Sequence, residues 1–294
     1  MRPELIEATR LIQAGDPGSM EAALQCLQGT VYAFSMKVCG HVEDAEDTMQ
    51  EVLLKSLPHL GRIGDPNAMA VWLYTVTKNR CWRSRRRSVY APREFMSLDD
   101  LMPERSELAS LLQSAESDPE GKLLESERNE RLEAAILELP TPYRLVLVLH
   151  DVEGLQTEQV AAVLRIQAGT VRVRLHRARL FVRRALGPKS AAEKPSKGAK
   201  AKADEGTPVR RRPIACKEVF ANLSEYLDDR LPVASCEHLQ KHMEACPACV
   251  AFIGDLRKAI DQCRQLQGTG DAQTPPDLRS LLTKEYRRMM AMGR

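Results

Sequence analysis

His242, Cys246 and Cys249 stand in the spacing H-x3-C-x2-C. A Cys-x2-Cys pair places two thiolates within reach of one tetrahedral ion, and a histidine one helical turn upstream adds a third ligand. Cys216, from an earlier segment, completes a Cys3His shell. A closed shell of this kind reads as one structural zinc, which cross-links a module with too little core to hold itself together. Hydrolytic zinc chemistry needs an open coordination position with an acid or base beside it, and four protein ligands leave none. The same cysteines could form a disulfide once the metal leaves, so redox or metal responsiveness stays open beside the structural role. Cys236 and His238 are extra candidates. Cys26, Cys39 and Cys81 are scattered without metal-ligand spacing and read as small core hydrophobes. Cys263 reads as packed on the final helix.

A second chemistry lies in GTVRVRLHRARLFVRRAL, residues 169–186. Val171, Leu175, Ala178 and Val182 recur at helical spacing and form one apolar stripe. Arg172, Arg174, His176, Arg177, Arg179, Arg183 and Arg184 crowd the remaining surface, and no acid occurs between Gln159 and Ala192. Such a helix docks its apolar side on a small core and offers its basic side to a DNA major groove. The alternative is a solvated cationic helix. The preceding residues supply the rest of a helix-turn-helix. Pro142 suits a first turn, Tyr143 to Val152 form an apolar helix ending near Gly154, and a short helix opens at Gln156 or Thr157 with Val160, Ala161 and Leu164. A tight connection follows at 165–167.

Further toward the start, DAEDTMQEVLLKSL (44–57) sets Asp44, Asp47 and Glu51 within two turns of one helix, with Val52, Leu53 and Leu57 on another side. Taken alone this is as well an ordinary solvated acidic face. AVWLYTVTKNRCWRSRRR (70–87) reads as an amphipathic helix with Trp72, Leu73 and Val76 inward. Its basic end (Lys78, Arg80, Arg83, Arg85, Arg86, Arg87) has no acid between Asp65 and Glu94, a charge that suits a DNA backbone or an opened strand.

Over residues 138–179 the chain resembles region 4 of the extracytoplasmic-function (ECF) sigma factors, and residues 44–87 resemble their region 2. The resemblance implies that the acidic face, with Asp44, Asp47, Gln50 and Glu51, meets the clamp coiled coil of bacterial RNA polymerase core, while region 4 meets the flap. It implies that Asn79, with Arg80 and Arg83, holds an opened −10 base, since a flipped base needs an amide to read its edge. Arg172, Arg174, His176 and Arg177 are then the candidate contacts to the −35 element, where arginine can read guanine bidentately or hold phosphate. Val173 departs from the small polar residue common at its position and could touch a thymine methyl. Residues 216–256 resemble the zinc-finger module of zinc-containing anti-sigma factors, whose usual four-ligand set excludes Cys236.

Length, composition and charge agree with several small helical domains. The chain has 294 residues, 4% aromatic and 28% charged, with a formal net charge of +3 that conceals segregated basic and acidic segments. The expected fold is all-α: region 2 at 1–93, an acidic linker at 94–126, region 4 at 127–187, a flexible Lys/Ala/Pro linker at 188–213, a zinc-binding domain at 214–267 and a tail at 268–294. Leu5, Ile6 and Leu11, then Ala22, Ala23, Leu27, Val31 and Phe34, mark the first helices. No apolar run reaches bilayer length and no secretory signal pattern opens the chain, so a cytoplasmic location without a membrane partner is expected.

The reading is a sigma factor, not an enzyme, that directs polymerase core to −35/−10 promoters. Its zinc domain regulates it in cis by contact with its own sigma domains. After Cys249 an amphipathic helix with Val250, Ile253, Leu256, Ile260 and Cys263 on one face needs a partner surface. Two other readings stand beside this one: a helix-turn-helix regulator with a zinc or redox sensor domain and no sigma role, which leaves 44–87 unexplained, and a zinc-dependent enzyme, which lacks a catalytic constellation.

Overall fold

The computed structural model describes residues 2–84, 96–103, 107, 125–187, 220, 223–267, 283–284 and 286–288. Every regular element among them is a helix. Four helices come first: α1 (Pro3–Ala14), α2 (Pro17–Cys39), α3 (Val42–Leu60) and α4 (Pro66–Ser84). Their limits follow from local chemistry. The Asp16 carboxylate accepts from the Ser19 backbone N–H at 2.9 Å and starts α2, with Pro17 in its first turn. Gly15 and Gly40 close α1 and α2 with φ of +74°, where a side chain would be strained.

These helices pack through Leu5, Leu27, Phe34, Met49, Leu53 and Leu73, all fully buried. The buried face of α1 runs through Leu5, Ala8 and Ile12, whereas Ile6 is 48% exposed. On α4, Leu73 and Tyr74 are the inward residues, and Trp72 and Val76 are only half-buried. Tyr74 takes the place expected for Trp72 because its ring reaches Phe34, at 5.0 Å between centroids.

A short turn α5 (Leu98–Leu101) precedes the second group: α6 (Glu125–Glu138), α7 (Thr141–Leu147), α8 (Thr157–Leu164) and α9 (Ala168–Leu186). The chain leaves α7 through a wider π turn at Val148–Val152. That turn swings Asp151 and Glu153 inward, where both are buried. Gln156 and Gln159 form a reciprocal capping box at the start of α8. The connection to α9 turns at Arg165, which adopts left-handed φ of 55°. Val171, Leu175, Ala178 and Val182 are all buried, as their spacing predicts.

The first and second groups share one apolar core, continuous from Leu5 through Leu73 to Leu147 and Val171. The last group is α10 (Val233–Ala245) and α11 (Pro247–Gln265), preceded by a helical stretch at 223–227. Its core is Phe220, Leu223, Cys249, Phe252, Leu256 and Ile260, closed on one side by Leu180 of α9 and Leu101 of α5. Val250 lies off this face and is 48% exposed, while Phe252 is wholly buried in its place, edge-on to Phe220 at 4.9 Å. A period of 3.6 puts residue 249, not 250, above 253 and 256. Among the described residues no helix is long and apolar enough to cross a membrane.

Candidate nucleic-acid interface and metal cluster

The basic helix α9 divides into two halves. In its first half Arg172 and Val173 are exposed, and Arg174 and Arg177 are half-buried. Further along, Arg184 is exposed, but His176, Arg179 and Arg183 point into protein. His176 is 7% exposed, and its Nδ1 lies 2.8 Å from the Ser224 hydroxyl. Burial, then Arg179 and Arg177, hold its pKa down at about 4, so the ring is neutral. Neutrality fits its place beside two guanidiniums.

Arg179 is the centre of an ion cluster. It donates to both oxygens of Asp151, at 2.8 and 2.6 Å, and to both oxygens of Asp228, at 2.8 and 2.9 Å. Burial alone would push the Asp151 carboxyl up, but Arg179 and His150 pull it well below the usual carboxylate range. Arg183 is bound by Asp255 at 2.9 Å and Glu107 at 2.6 Å, and it covers the Phe252 ring at 4.0 Å. Residues 223–267 are therefore clamped to the helix-turn-helix by two arginines of its second helix. Arg230 adds a third tie, to Gln156 at 2.7 Å and to the Thr157 hydroxyl. The cavity bounded by Arg172, Val173, Arg177, Glu225 and Arg230 has a volume of about 430 Å³.

Asp151, Arg179, Arg183, Asp228 and Asp255 carry this assembly, and sequence reasoning assigned none of them a structural role. Asp151 and Glu153 did carry a signal: two acids at the end of an apolar helix.

The region-2 candidates lie on α3 and α4. Asp47 is exposed, and Asp44, Gln50 and Glu51 are half-buried. Glu51 pairs with Lys55 at 2.6 Å and also with Arg80; Lys55, then Arg80, lower its pKa. One acidic and one basic candidate thus hold each other. Asn79 is exposed. The Arg83 side chain, Arg85, Arg86 and Arg87 lie outside the described residues.

His242 ends α10, and Cys246 and Cys249 flank the start of α11. Their ligand atoms lie within 4.8 Å of one another, with His242 Nε2 3.3 Å from Cys249 Sγ. A tetrahedral zinc with ordinary bond lengths sets such an N···S pair about 3.6 Å apart, so these three donors fit that ion. Cys216 lies outside the described residues. Cys236 stands apart, its thiol directed at the Leu231 carbonyl at 3.7 Å. Cys39, Cys81 and Cys263 are buried and Cys26 half-buried. Burial and Asp151 push the Cys263 thiol well above its ordinary value. The Cys81 thiol is lowered, first by its contact with Cys39.

Three family models match the chain: "Sigma-70 region 2" at 24–89, "Sigma-70, region 4" at 129–182 and "Putative zinc-finger" at 216–249. Among curated proteins, the chain is 24% identical over 178 residues to the ECF RNA polymerase sigma factor SigW of Bacillus subtilis, spanning 60% of this chain and 92% of that one. It is 29% identical over 181 residues to the RNA polymerase sigma-H factor of Pseudomonas aeruginosa, at 60% and 91% coverage. With the ECF RNA polymerase sigma factor SigE of Mycolicibacterium smegmatis the identity is 30% over 162 residues, or 55% and 59% of the two chains.

Proposed function

From the premise that this chain belongs to the ECF RNA polymerase sigma factors, we propose how its residues divide the work and how its zinc domain governs them. As a sigma factor it directs transcription initiation from promoters, and its added zinc-finger-like domain is regulatory. The bond-forming chemistry belongs to polymerase core.

In this reading Asp44, Asp47, Gln50 and Glu51 engage the polymerase clamp. Asn79, Arg80 and Arg83 hold the opened −10 strand. Arg172, Arg174 and Arg177 face the −35 element, with His176 joining them only when the C-terminal domain has left. A structural zinc would be held by His242, Cys246 and Cys249, with Cys216 as the fourth ligand. Such an ion would cross-link α10 and α11, the helix that carries Phe252, Asp255 and Leu256 against α9.

The observation that carries the regulatory part is the burial of His176, Arg179 and Arg183 under the C-terminal domain. With Arg179 and Arg183 paired to Asp228 and Asp255, the helix has less attraction for phosphate. The docked domain therefore holds the sigma factor back, and its departure releases the DNA-reading helix. Because the domain is part of the same chain, its effective concentration at α9 exceeds that of a separate protein.

Run-off transcription with core polymerase tests this. Full-length protein is compared with a version ending near residue 190. Higher output from the shorter protein is expected. Output lost at an equal protein level would make the domain an activating part instead.

A further inference from the structure

Glu153 is wholly buried. Its carboxylate accepts from Arg2 Nε at 2.5 Å, Arg2 Nη2 at 3.3 Å and the Tyr74 hydroxyl at 2.6 Å. Arg2 sits at the start of α1 and Tyr74 on α4, both in the region-2 group, whereas Glu153 follows the π turn of region 4. Arg2 and Glu153 are both 0% exposed. Burial, then Glu153, raises the Tyr74 hydroxyl well above its ordinary value, so it remains a donor. Two charges taken out of water hold only while they face each other, and a lost partner leaves the other stranded.

Other bonds cross the same seam. Lys78, on the helix expected to hold the −10 strand, donates to the Val163 carbonyl of α8 at 2.9 Å. Gln159 donates to Asn67 at 2.9 Å. Arg144 of α7 donates to the Val38 carbonyl at 2.8 Å and so caps the end of α2. Gly40 comes so close to α6 that a Cβ there would lie 2.9 Å from Leu137 Cδ2.

We infer that regions 2 and 4 hold each other in a closed state, latched by Arg2 and Tyr74 on Glu153, and that this latch must open before both promoter elements can be read. Magnitudes decide the point. Promoter elements centred near −35 and −10 lie about 25 base pairs apart, or about 85 Å at roughly 3.4 Å per step. In the closed state α4 touches α8, and α8 is joined to α9 by one tight turn. Helices about 10 Å across then put the two DNA-reading helices roughly 20–30 Å apart. One closed molecule cannot span both elements, and α8 lies against the helix that would receive the −10 strand. The inference rests on the sigma reading above but differs from docking of the zinc domain. Its latch lies between the two sigma regions, so a chain ending near residue 190 still closes.

Distance measurement on full-length protein tests it. Donor and acceptor dyes are placed through non-natural residues at Glu43 on α3 and Ala162 on α8, leaving the cysteines untouched. Wild type should give a short distance, and core polymerase should lengthen it. Glu153→Gln leaves Arg2 buried against a neutral group and should raise the open-to-closed ratio tenfold or more. Arg2→Ala and Tyr74→Phe leave the sequence of region 4 unchanged, circular dichroism checks that it stays folded, and both should shift the ratio the same way. The chain ending near 190 should remain mostly closed until Glu153 is also changed. A long distance in wild type, a fully open truncated chain, or unchanged distances in both Arg2→Ala and Tyr74→Phe would overturn the latch. The docking proposal is read from transcription output and stands or falls separately.

Discussion

Asp228→Ala is the most direct perturbation of the clamp between the zinc domain and α9. The wild-type carboxylate faces Arg179 through two bonds of 2.8 and 2.9 Å, and the Arg179 side chain is 0% exposed. A hydrogen bond between charged groups contributes about 1.5–3 kcal/mol. The two bonds share one carboxylate, and Asp228 regains water when the domain undocks, so the pair is counted once. Arg179 keeps Asp151, so region 4 is not left with an unpaired buried cation. The expected loss in docking is therefore about 2–3 kcal/mol, a shift of about 30- to 150-fold in the docking equilibrium. Hydrogen exchange along α11 reports the undocking, and run-off transcription reports its consequence. Output from Asp228→Ala should approach that of the chain ending near residue 190. Two results would refute the reasoning. One is a docking equilibrium within threefold of wild type. The other is a clearly undocked domain with output unchanged, while the truncated chain is more active.

Three further outcomes are expected. Purified protein should hold about one zinc by elemental analysis, and Cys246→Ser with Cys249→Ser should abolish it while the thermal transition of regions 2 and 4 persists. Docking should weaken in acid: the His176 pKa of about 4 when docked lies below its ordinary value of about 6.5. A depressed value favours docking fully above pH 6.5 and less as pH falls toward 4. From pH 7 to 5 the loss is about 20-fold, and His176→Gln, followed by exchange along α11 beside wild type, should remove that part of it. Gly40→Ala should lower the thermal midpoint, because φ is +74° there and the new Cβ meets Leu137 at 2.9 Å; about 1–2 kcal/mol is expected.

Local and periodic features of this chain were legible without any structure. The stripe Val171, Leu175, Ala178 and Val182 announced both the helix and its buried side, since a 3.6-residue period needs no distant partner to be recognised. The turn at 165–167 and the H-x3-C-x2-C spacing are likewise written in short stretches, and His242, Cys246 and Cys249 do converge. What sequence could not decide is which cations of α9 face outward. Arg172 and Arg179 look alike in the chain. One is exposed and the other wholly buried, because Asp151 and Asp228 come from segments far apart in sequence and meet only in the fold. The same holds for Arg2, Tyr74 and Glu153, whose partners are up to 151 positions apart. Periodicity decides which face of a helix is apolar; long-range charge pairing decides which polar groups that helix keeps for itself, and only tertiary structure brings those charges together.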